Sequence, residues 1–178
     1  MYPVHLTGGS TRLREVRTSD LADSLAVVGD DRVTAWLSFD PLDPAQQADR
    51  LAAVVERAAH RPRQEYYLAV TALDNDRLVG VARLGLGRFR SAEVGYAIAH
   101  DHWGRGHATD AVGALLAFGF ADLGLHRVTA AISPDNAASI RVVRKLGFEL
   151  EGRMRDHVHA GGRWRDSLLY AKVARGEP

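Results

Sequence analysis

A glycine-rich turn, His102-Trp103-Gly104-Arg105-Gly106-His107-Ala108-Thr109, lies between a strand-like and a helix-like segment. Glycines let an anion approach the main chain, and the unpaired N–H groups of a helix N-terminus attract negative charge. The turn therefore suits a phosphate or pyrophosphate. It lacks the Lys of G-x-x-x-x-G-K-[ST], and Thr109 stands where G-x-G-x-x-G needs its third glycine. Because packing alone also places two glycines in many strand-to-helix turns, the turn by itself is a weak signal for a phosphate site.

Two other chemistries are excluded or disfavoured by composition. The chain has no cysteine, which excludes a disulfide framework, a thiolate metal site and a cysteine nucleophile. His100, His102 and His107 crowd around the turn, but their spacing matches no metal site, so we expect no metal.

Charge and hydropathy exclude broad classes of partner. Lys and Arg total 23 against 22 Asp and Glu, a net charge of +1, which gives no electrostatic case for nucleic acid or a membrane surface. The first residues resemble no signal peptide, and no apolar run reaches membrane-spanning length. We therefore expect a cytoplasmic protein, with residues 1–178 forming one domain.

Hydrophobic periodicity and turn residues predict the order β-α-α-β-β-β-α-β-α-β-β. The predicted strands are 11–17, 66–71, 78–84, 92–98, 127–132, 148–157 and 167–174, and the predicted helices are 21–28, 44–60, 108–123 and 137–146. Segment 7–10 is interpreted as a lead-in to the first strand, and 33–43 receives no element. This order predicts an α/β class fold (a mixed α+β sheet) with helices on both faces.

Four segments carry a resemblance to a known family. Trp103 to Ala108 resembles the pyrophosphate loop of the GNAT superfamily, [Q/R]-x-x-G-x-[G/A], with Trp103 in place of the usual Gln or Arg. That replacement is typical of the RimJ/RimL-like branch of ribosomal-protein N-terminal acetyltransferases. Segments 93–98, 136–148 and 162–166 are similar to the same branch and follow in the expected order. The chain is thus identified as a member of this branch over about residues 11–173.

The resemblance implies a GNAT-type acyl-CoA N-acyltransferase fold in which the fourth and fifth predicted strands splay apart. It also implies acetyl-CoA as the acyl donor and direct attack by a primary amine in a ternary complex. The residues expected at the cofactor are Gly95, Tyr96, Ala97, Ile98, Trp103, Gly104, Arg105, Gly106, His107, Ala108, Thr109, Asn136 and Ser139. A helix N-cap is an alternative role for Asn136 that is compatible with cofactor binding.

Two residues are candidates for catalysis. Glu93 is expected to accept the ammonium proton through a water, although an ion pair with an arginine is an equal alternative. Many GNAT enzymes carry a Tyr acid where this chain has Val143, which cannot donate a proton. The resemblance to the RimJ/RimL-like branch instead implies that Ser139 lies near the sulfur and assists the leaving thiolate, with a first-turn residue of no catalytic role as the alternative. Departure without an acid stays open, because a thiol of pKa about 8.5 leaves readily.

The amine acceptor is the least determined feature. Trp36, Phe39 and Asp40 fall in the loop that walls the acceptor site in this family, and His157 and His159 share a strand near it. A peptide N-terminal α-amine is the leading candidate. An aminoglycoside-like antibiotic, a polyamine and a catalytically idle acyl-CoA-binding domain are the alternatives. Family members are often dimers, so a homodimer is a further expectation.

Overall fold

A computed structural model describes residues 2–174, which form one mixed sheet flanked by helices. The strands are β1 (His5–Thr7), β2 (Thr11–Glu15), β3 (Glu65–Ala72), β4 (Leu78–Leu86), β5 (Ser91–Ile98), β6 (Arg127–Ile132), β7 (Glu149–Ala160) and β8 (Arg163–Val173). The α-helices are α1 (Leu21–Val28), α2 (Asp31–Thr34), α3 (Pro44–Ala58), α4 (His107–Ala121) and α5 (Ala137–Lys145). The eight described strands lie in the order β1-β2-β3-β4-β5-β6-β8-β7. The predicted α/β class is confirmed.

Strands β5 and β6 are parallel and separate after three paired positions, whereas the other neighbouring strands are antiparallel. Their register runs from Ser91↔Arg127 to Glu93↔Thr129 and ends there. Beyond Glu93, β5 continues to pair with β4 as far as Ile98, and β6 continues to pair with β8 as far as Ile132. This divergence is the splay expected between the fourth and fifth predicted strands.

Period-two alternation in the strands builds a core on each face of the sheet. In β3, Leu68 and Val70 belong to the core under α4, while Tyr67 and Ala69 belong to the core under α1 and α3. Helix α4 contributes the fully buried Val112 and Leu115 to the first core, together with other apolar residues of the same helix. Both faces of the sheet are therefore packed, and the core under α4 spans the divergence, since it includes residues of β5, β6 and β8.

The structure departs from the predicted elements in three places. Segment 5–7 forms a strand, and the predicted lead-in is the turn of the β1–β2 hairpin. Helix α2 extends into the unassigned segment 33–43 as far as Thr34. It is a single turn capped by the Asp30 carboxylate and is too short to show helical periodicity. Strands β7 and β8 extend to the Gly161-Gly162 turn, beyond the predicted bounds. Among residues 2–174, no helix combines the length and apolarity that crossing a bilayer requires.

Asp110, in the first turn of α4, fastens the β1–β2 turn to that helix. Its carboxylate accepts hydrogen bonds from the amides of Gly9, Ser10 and Thr11 at 2.8 to 3.0 Å and from the Thr11 hydroxyl at 2.7 Å. A Cβ on Gly8 would lie 2.3 Å from Asp110 Oδ2, so this close approach requires glycine. Burial raises the pKa of Asp110, but the bonds from Thr11, Ser10 and Gly9 outweigh it, and the net pKa is below the ordinary value.

Replacing Asp110 should destabilise the protein in a pH-dependent manner. Asp110→Asn removes the charge that these donors stabilise, and we expect a loss of about 1–2 kcal/mol in the free energy of unfolding at neutral pH. Because the pKa of the folded state is depressed, this stabilisation is complete above the unfolded pKa of about 3.9 and is lost as the pH falls through the folded value. Urea denaturation at neutral and acidic pH measures the difference.

Asp122→Asn is the matched control, since Asp122 lies exposed at the other end of α4 and should have little effect. A destabilisation by Asp110→Asn that stayed constant down to about pH 3 would show that the carboxylate charge is not its source.

Candidate functional site

The divergence of β5 and β6 opens a cavity of about 1170 Å³ that reaches both faces of the sheet. This exceeds the several hundred cubic ångströms of a typical small-ligand pocket. Of the residues predicted to meet the cofactor, those that line it are Gly95, Tyr96, Ala97, Ile98, Trp103, Gly104, Gly106, His107, Ala108, Thr109, Asn136 and Ser139. The structure thus brings together segments separated by up to 44 positions of sequence.

The glycine-rich turn forms one end of this cavity. Gly104 and Gly106 have φ of 75° and 80°, and a Cβ on either would meet no atom within 4 Å. Backbone conformation, not crowding, therefore requires glycine at both positions. Gly106 is the N-cap of α4, and the first amide to bond back to it is that of Asp110, at 3.0 Å. The amides of the preceding first-turn residues have no acceptor within the helix.

Flanking side chains fix the turn. The Trp103 indole donates to the Ile98 carbonyl at 2.7 Å, which ties the turn to the end of β5. Arg105 donates to the Asp101 carbonyl at 3.1 Å, and it is the one predicted cofactor residue that does not line the cavity. Trp103 therefore has a structural contact at the position where the family pattern has Gln or Arg.

The histidines of the turn are not arranged around a metal. Within residues 2–174, no three His, Cys, Asp or Glu side chains are grouped so that they could hold a metal ion. His102 and His107 have ring centroids 6.1 Å apart, and the Nδ1 atoms of both are buried without a hydrogen-bond partner. Burial lowers the pKa of His107, and the nearby His102 and Arg105 act in the same direction, so a neutral imidazole is favoured.

Helix α5 faces β5 across the gap. The Asn136 carboxamide oxygen accepts from the Ser139 amide at 3.0 Å, so Asn136 is the N-cap of α5. The Tyr96 hydroxyl donates to the Ser139 carbonyl at 3.1 Å. Burial raises the pKa of Tyr96 to about 12, which keeps this hydroxyl protonated at neutral pH. Sequence reasoning considered only the main chain of Tyr96 and missed this link, because it joins residues 43 positions apart.

The two catalytic candidates line the same cavity. Glu93 is the last paired residue of β5 before the gap, and its side chain is 56 % exposed. Arg83 Nη1 lies 3.7 Å from Glu93 Oε1, so the ion pair considered as an alternative is present, whereas Arg127 pairs with Glu151. Ser139 lies in the first turn of α5 and lines the cavity.

Val143, at the position of the usual family tyrosine, faces away from the cavity. It is fully buried in the core under α4 and α5, and its neighbour Val142 lines the cavity instead. The chain therefore places no proton donor at this position, as its valine already indicated.

The residues proposed for acceptor binding are divided by the structure. Trp36, Phe39 and His157 line the cavity, whereas Asp40 and His159 do not. Asp40 accepts from the Gly161 amide at 2.8 Å, which fastens its loop to the β7–β8 turn. The His159 ring lies 5.0 Å from that of Trp164.

Further side chains complete this part of the cavity. We define the acceptor end as the part lined by Trp36, Phe39, Arg50, Tyr67, Arg83, Glu93, His157, Arg165 and Asp166. Sequence reasoning did not assign Arg50, Tyr67 or Arg165 to the site. Arg165 lies in the family-like segment 162–166, but no local motif marks Arg50 or Tyr67, and the fold brings the three residues together from α3, β3 and β8.

Comparison with known proteins identifies the family. The model of the acetyltransferase (GNAT) domain matches residues 11–149. The chain is 27 % identical to the uncharacterized N-acetyltransferase p20 of Bacillus licheniformis over 168 residues, 92 % of each chain. It is 30 % identical over 115 residues to the ribosomal protein uS5-alanine N-acetyltransferase of Escherichia coli, covering 63 % of this chain and 59 % of that one.

A solved structure shares the same architecture over nearly the whole chain. Mycobacterium smegmatis RimJ, in complex with CoA-disulfide, superposes with a TM-score of 0.86 at 27 % identity, covering 97 % of this chain and 88 % of that one. The family match spans both the glycine-rich turn and the gap between β5 and β6. The chain therefore belongs to the GNAT family and is an N-acetyltransferase, similar to the ribosomal protein uS5-alanine N-acetyltransferase and to RimJ.

Proposed function

We propose that the protein transfers the acetyl group of acetyl-CoA directly to the α-amine of a peptide, within one domain formed by residues 1–178. The observation that carries this proposal is the continuous cavity, which joins the glycine-rich turn to the acceptor end through the gap between β5 and β6. A donor held on the turn would present its thioester at the gap, where an amine can approach from the acceptor end.

The gap suits an extended donor with amide groups. Within the described chain, residues 94–97 of β5 have no strand partner on the β6 side, so their main-chain groups can pair with the pantetheine amides as with an added strand. The positive-φ glycines and the free first-turn amides of α4 suit the pyrophosphate. The carboxamide NH₂ group of Asn136 is not used by its cap interaction and can reach the pantetheine arm.

The chemistry needs no covalent enzyme intermediate, and the chain has no cysteine to form one. The amine nitrogen attacks the thioester carbonyl carbon, a main-chain N–H of β5 stabilises the oxyanion, and the carbon–sulfur bond then breaks. Glu93 takes the proton of the incoming ammonium through a water, which its exposed carboxylate allows. The Ser139 hydroxyl stabilises the departing thiolate.

The peptide acceptor is supported by the relatives. One is named a ribosomal protein uS5-alanine N-acetyltransferase, and a structural neighbour at 27 % identity is named RimJ. The CoA bound in that neighbour supports acetyl-CoA as the donor here.

Gly106→Glu should abolish acetyl-CoA binding. The change places a side chain and a negative charge at the glycine-rich turn and forces a non-glycine residue to adopt φ of 80°. Calorimetric titration with acetyl-CoA measures the affinity. Gly162→Glu is the matched control, because Gly162 also has positive φ and open space around its Cβ position but lies in the β7–β8 turn. Equal affinities for the two variants would refute the assignment of the turn.

Glu93→Gln should lower kcat by about a hundredfold, mostly at lower pH, where the amine is protonated and the base is needed most. Acetyl-CoA affinity should not change. Rates of free-thiol release across pH measure the effect, with the exposed Glu149→Gln as the control. A uniform response across pH would remove Glu93 from proton transfer and leave it as the ion-pair partner of Arg83.

Ser139→Ala should leave acetyl-CoA affinity largely intact and slow turnover by about tenfold, since one hydrogen bond to a charged leaving group is lost. The cap of α5 uses the Ser139 amide and not its hydroxyl, so the helix should persist. Single-turnover kinetics separate the chemical step from product release. Wild-type rates would indicate that the thiolate departs without assistance.

A further inference from the structure

The acceptor end contains two arginines whose charge no carboxylate offsets. Within residues 2–174, Arg83 pairs with Glu65 and Glu93, and Arg153 pairs with Asp166. Arg50 and Arg165 form no such ion pair, although both line the cavity. A charge without a counter-ion at the wall of a binding cavity favours ligands of opposite charge and disfavours ligands of like charge.

Arg50 is positioned by aromatic rings. Its guanidinium carbon lies 4.4 Å from the ring centroid of Phe39 and 5.5 Å from that of Tyr67. These rings hold the planar cation in place and exclude part of its water. Within the described chain the Arg50 guanidinium makes no hydrogen bond, so its donors are available to a ligand.

Arg165 reaches the same region from β8. It donates to the carbonyls of Ala35, at 2.6 Å, and Leu37, which flank Trp36 in the loop between α2 and α3. Neutral carbonyls orient the guanidinium without cancelling its charge, and its Nε is buried without a partner. The adjacent Asp166 does not neutralise it, because that carboxylate binds Arg153 at 2.6 Å and the Asp156 amide at 2.9 Å.

Beside the gap, the acceptor end carries the carboxylate of Glu93, which is only loosely paired. Arg83 is hydrogen-bonded to Glu65, which Arg57 also approaches at 4.0 Å, whereas Glu93 Oε1 lies 3.7 Å from Arg83 and its side chain is 56 % exposed. The acceptor end therefore presents an anionic group toward the thioester and a cationic wall formed by Arg50 and Arg165. This pattern complements an amine that also carries a carboxylate.

We infer that the preferred acceptor is an amine bearing a carboxylate, bound by Arg50 and Arg165 while its ammonium lies near Glu93. This inference deepens the proposed function and rests on it. A peptide with an acidic residue next to its N-terminal residue and a free α-amino acid share this chemistry. Polyamines and aminoglycosides carry only positive charge and would meet two uncompensated guanidinium groups.

The test compares acceptors that carry different charges. The peptide arm uses N-terminal Ala-Glu, Ala-Gln and Ala-Lys peptides with amidated C-termini, and the small-molecule arm uses alanine against alaninamide and spermidine. We expect kcat/KM for the carboxylate-bearing member of one arm to exceed that of its neutral match by about tenfold or more. The arm that shows the preference identifies the source of the carboxylate.

Variants assign the preference to its residues. Arg50→Gln should remove most of it by raising KM for the carboxylate-bearing acceptor, while KM for the neutral match changes by less than about twofold. Arg50→Lys should restore part of it. Arg12→Gln removes the same formal charge from an exposed position on β2 outside the cavity, and it should leave the preference unchanged. A preference kept by Arg50→Gln would overturn the assignment.

Calorimetric titration of each acceptor into the CoA-bound protein separates this inference from the proposed function. One outcome is carboxylate-selective binding that Arg50→Gln abolishes, with no acetyl transfer. It would support carboxylate recognition and refute the proposed acetyl transfer. Acetyl transfer with equal or better use of Ala-Lys peptides or spermidine would sustain the enzyme and refute the inference.

Discussion

The interruption of pairing between β5 and β6 is the constraint on which the rest of the structure depends. Buried main-chain N–H and C=O groups need partners, and the two strands stop providing them to each other after Glu93↔Thr129. A sheet that simply failed to pair at its centre would be unstable. Here β4 and β8 continue to pair with the outer edges of the diverging strands, so the gap stays open within an ordered frame and only its inner groups are left to a ligand.

Contacts distant in sequence hold the parts of the site around this gap. Asp110 joins the start of α4 to the β1–β2 turn, and the Tyr96 hydroxyl joins β5 to the first turn of α5. Each contact fixes a helix N-terminus that faces the cavity. A site with walls from several elements gains its geometry from such links, because none of these short segments would hold its position by local propensity alone.

Local signals predicted the parts of the site that depend on local conformation. Gly104 and Gly106 indicate positive φ, and Asn136 indicates a helix N-cap, because each residue type suits the backbone conformation at its own position. The strand 127–132 was predicted with its observed bounds because its alternation is complete. No local pattern predicted that Asp110 binds the β1–β2 turn or that Arg50 and Arg165 line the same cavity. Both features depend on contacts about a hundred positions apart, which follow from the topology.

The net charge of the chain gave the least information about which ligand the acceptor end recognises. A total of +1 indicates a neutral molecule, yet the local potential depends on which charges are already paired. Many carboxylates are used elsewhere: Asp20 binds the buried Arg14, and Glu15 binds the buried Arg63. Each such pair removes both charges from the field that a ligand meets. The carboxylates that line the acceptor end are Glu93 and Asp166, which pair with Arg83 and Arg153. The guanidinium groups of Arg50 and Arg165 therefore give their side of the acceptor end a positive potential.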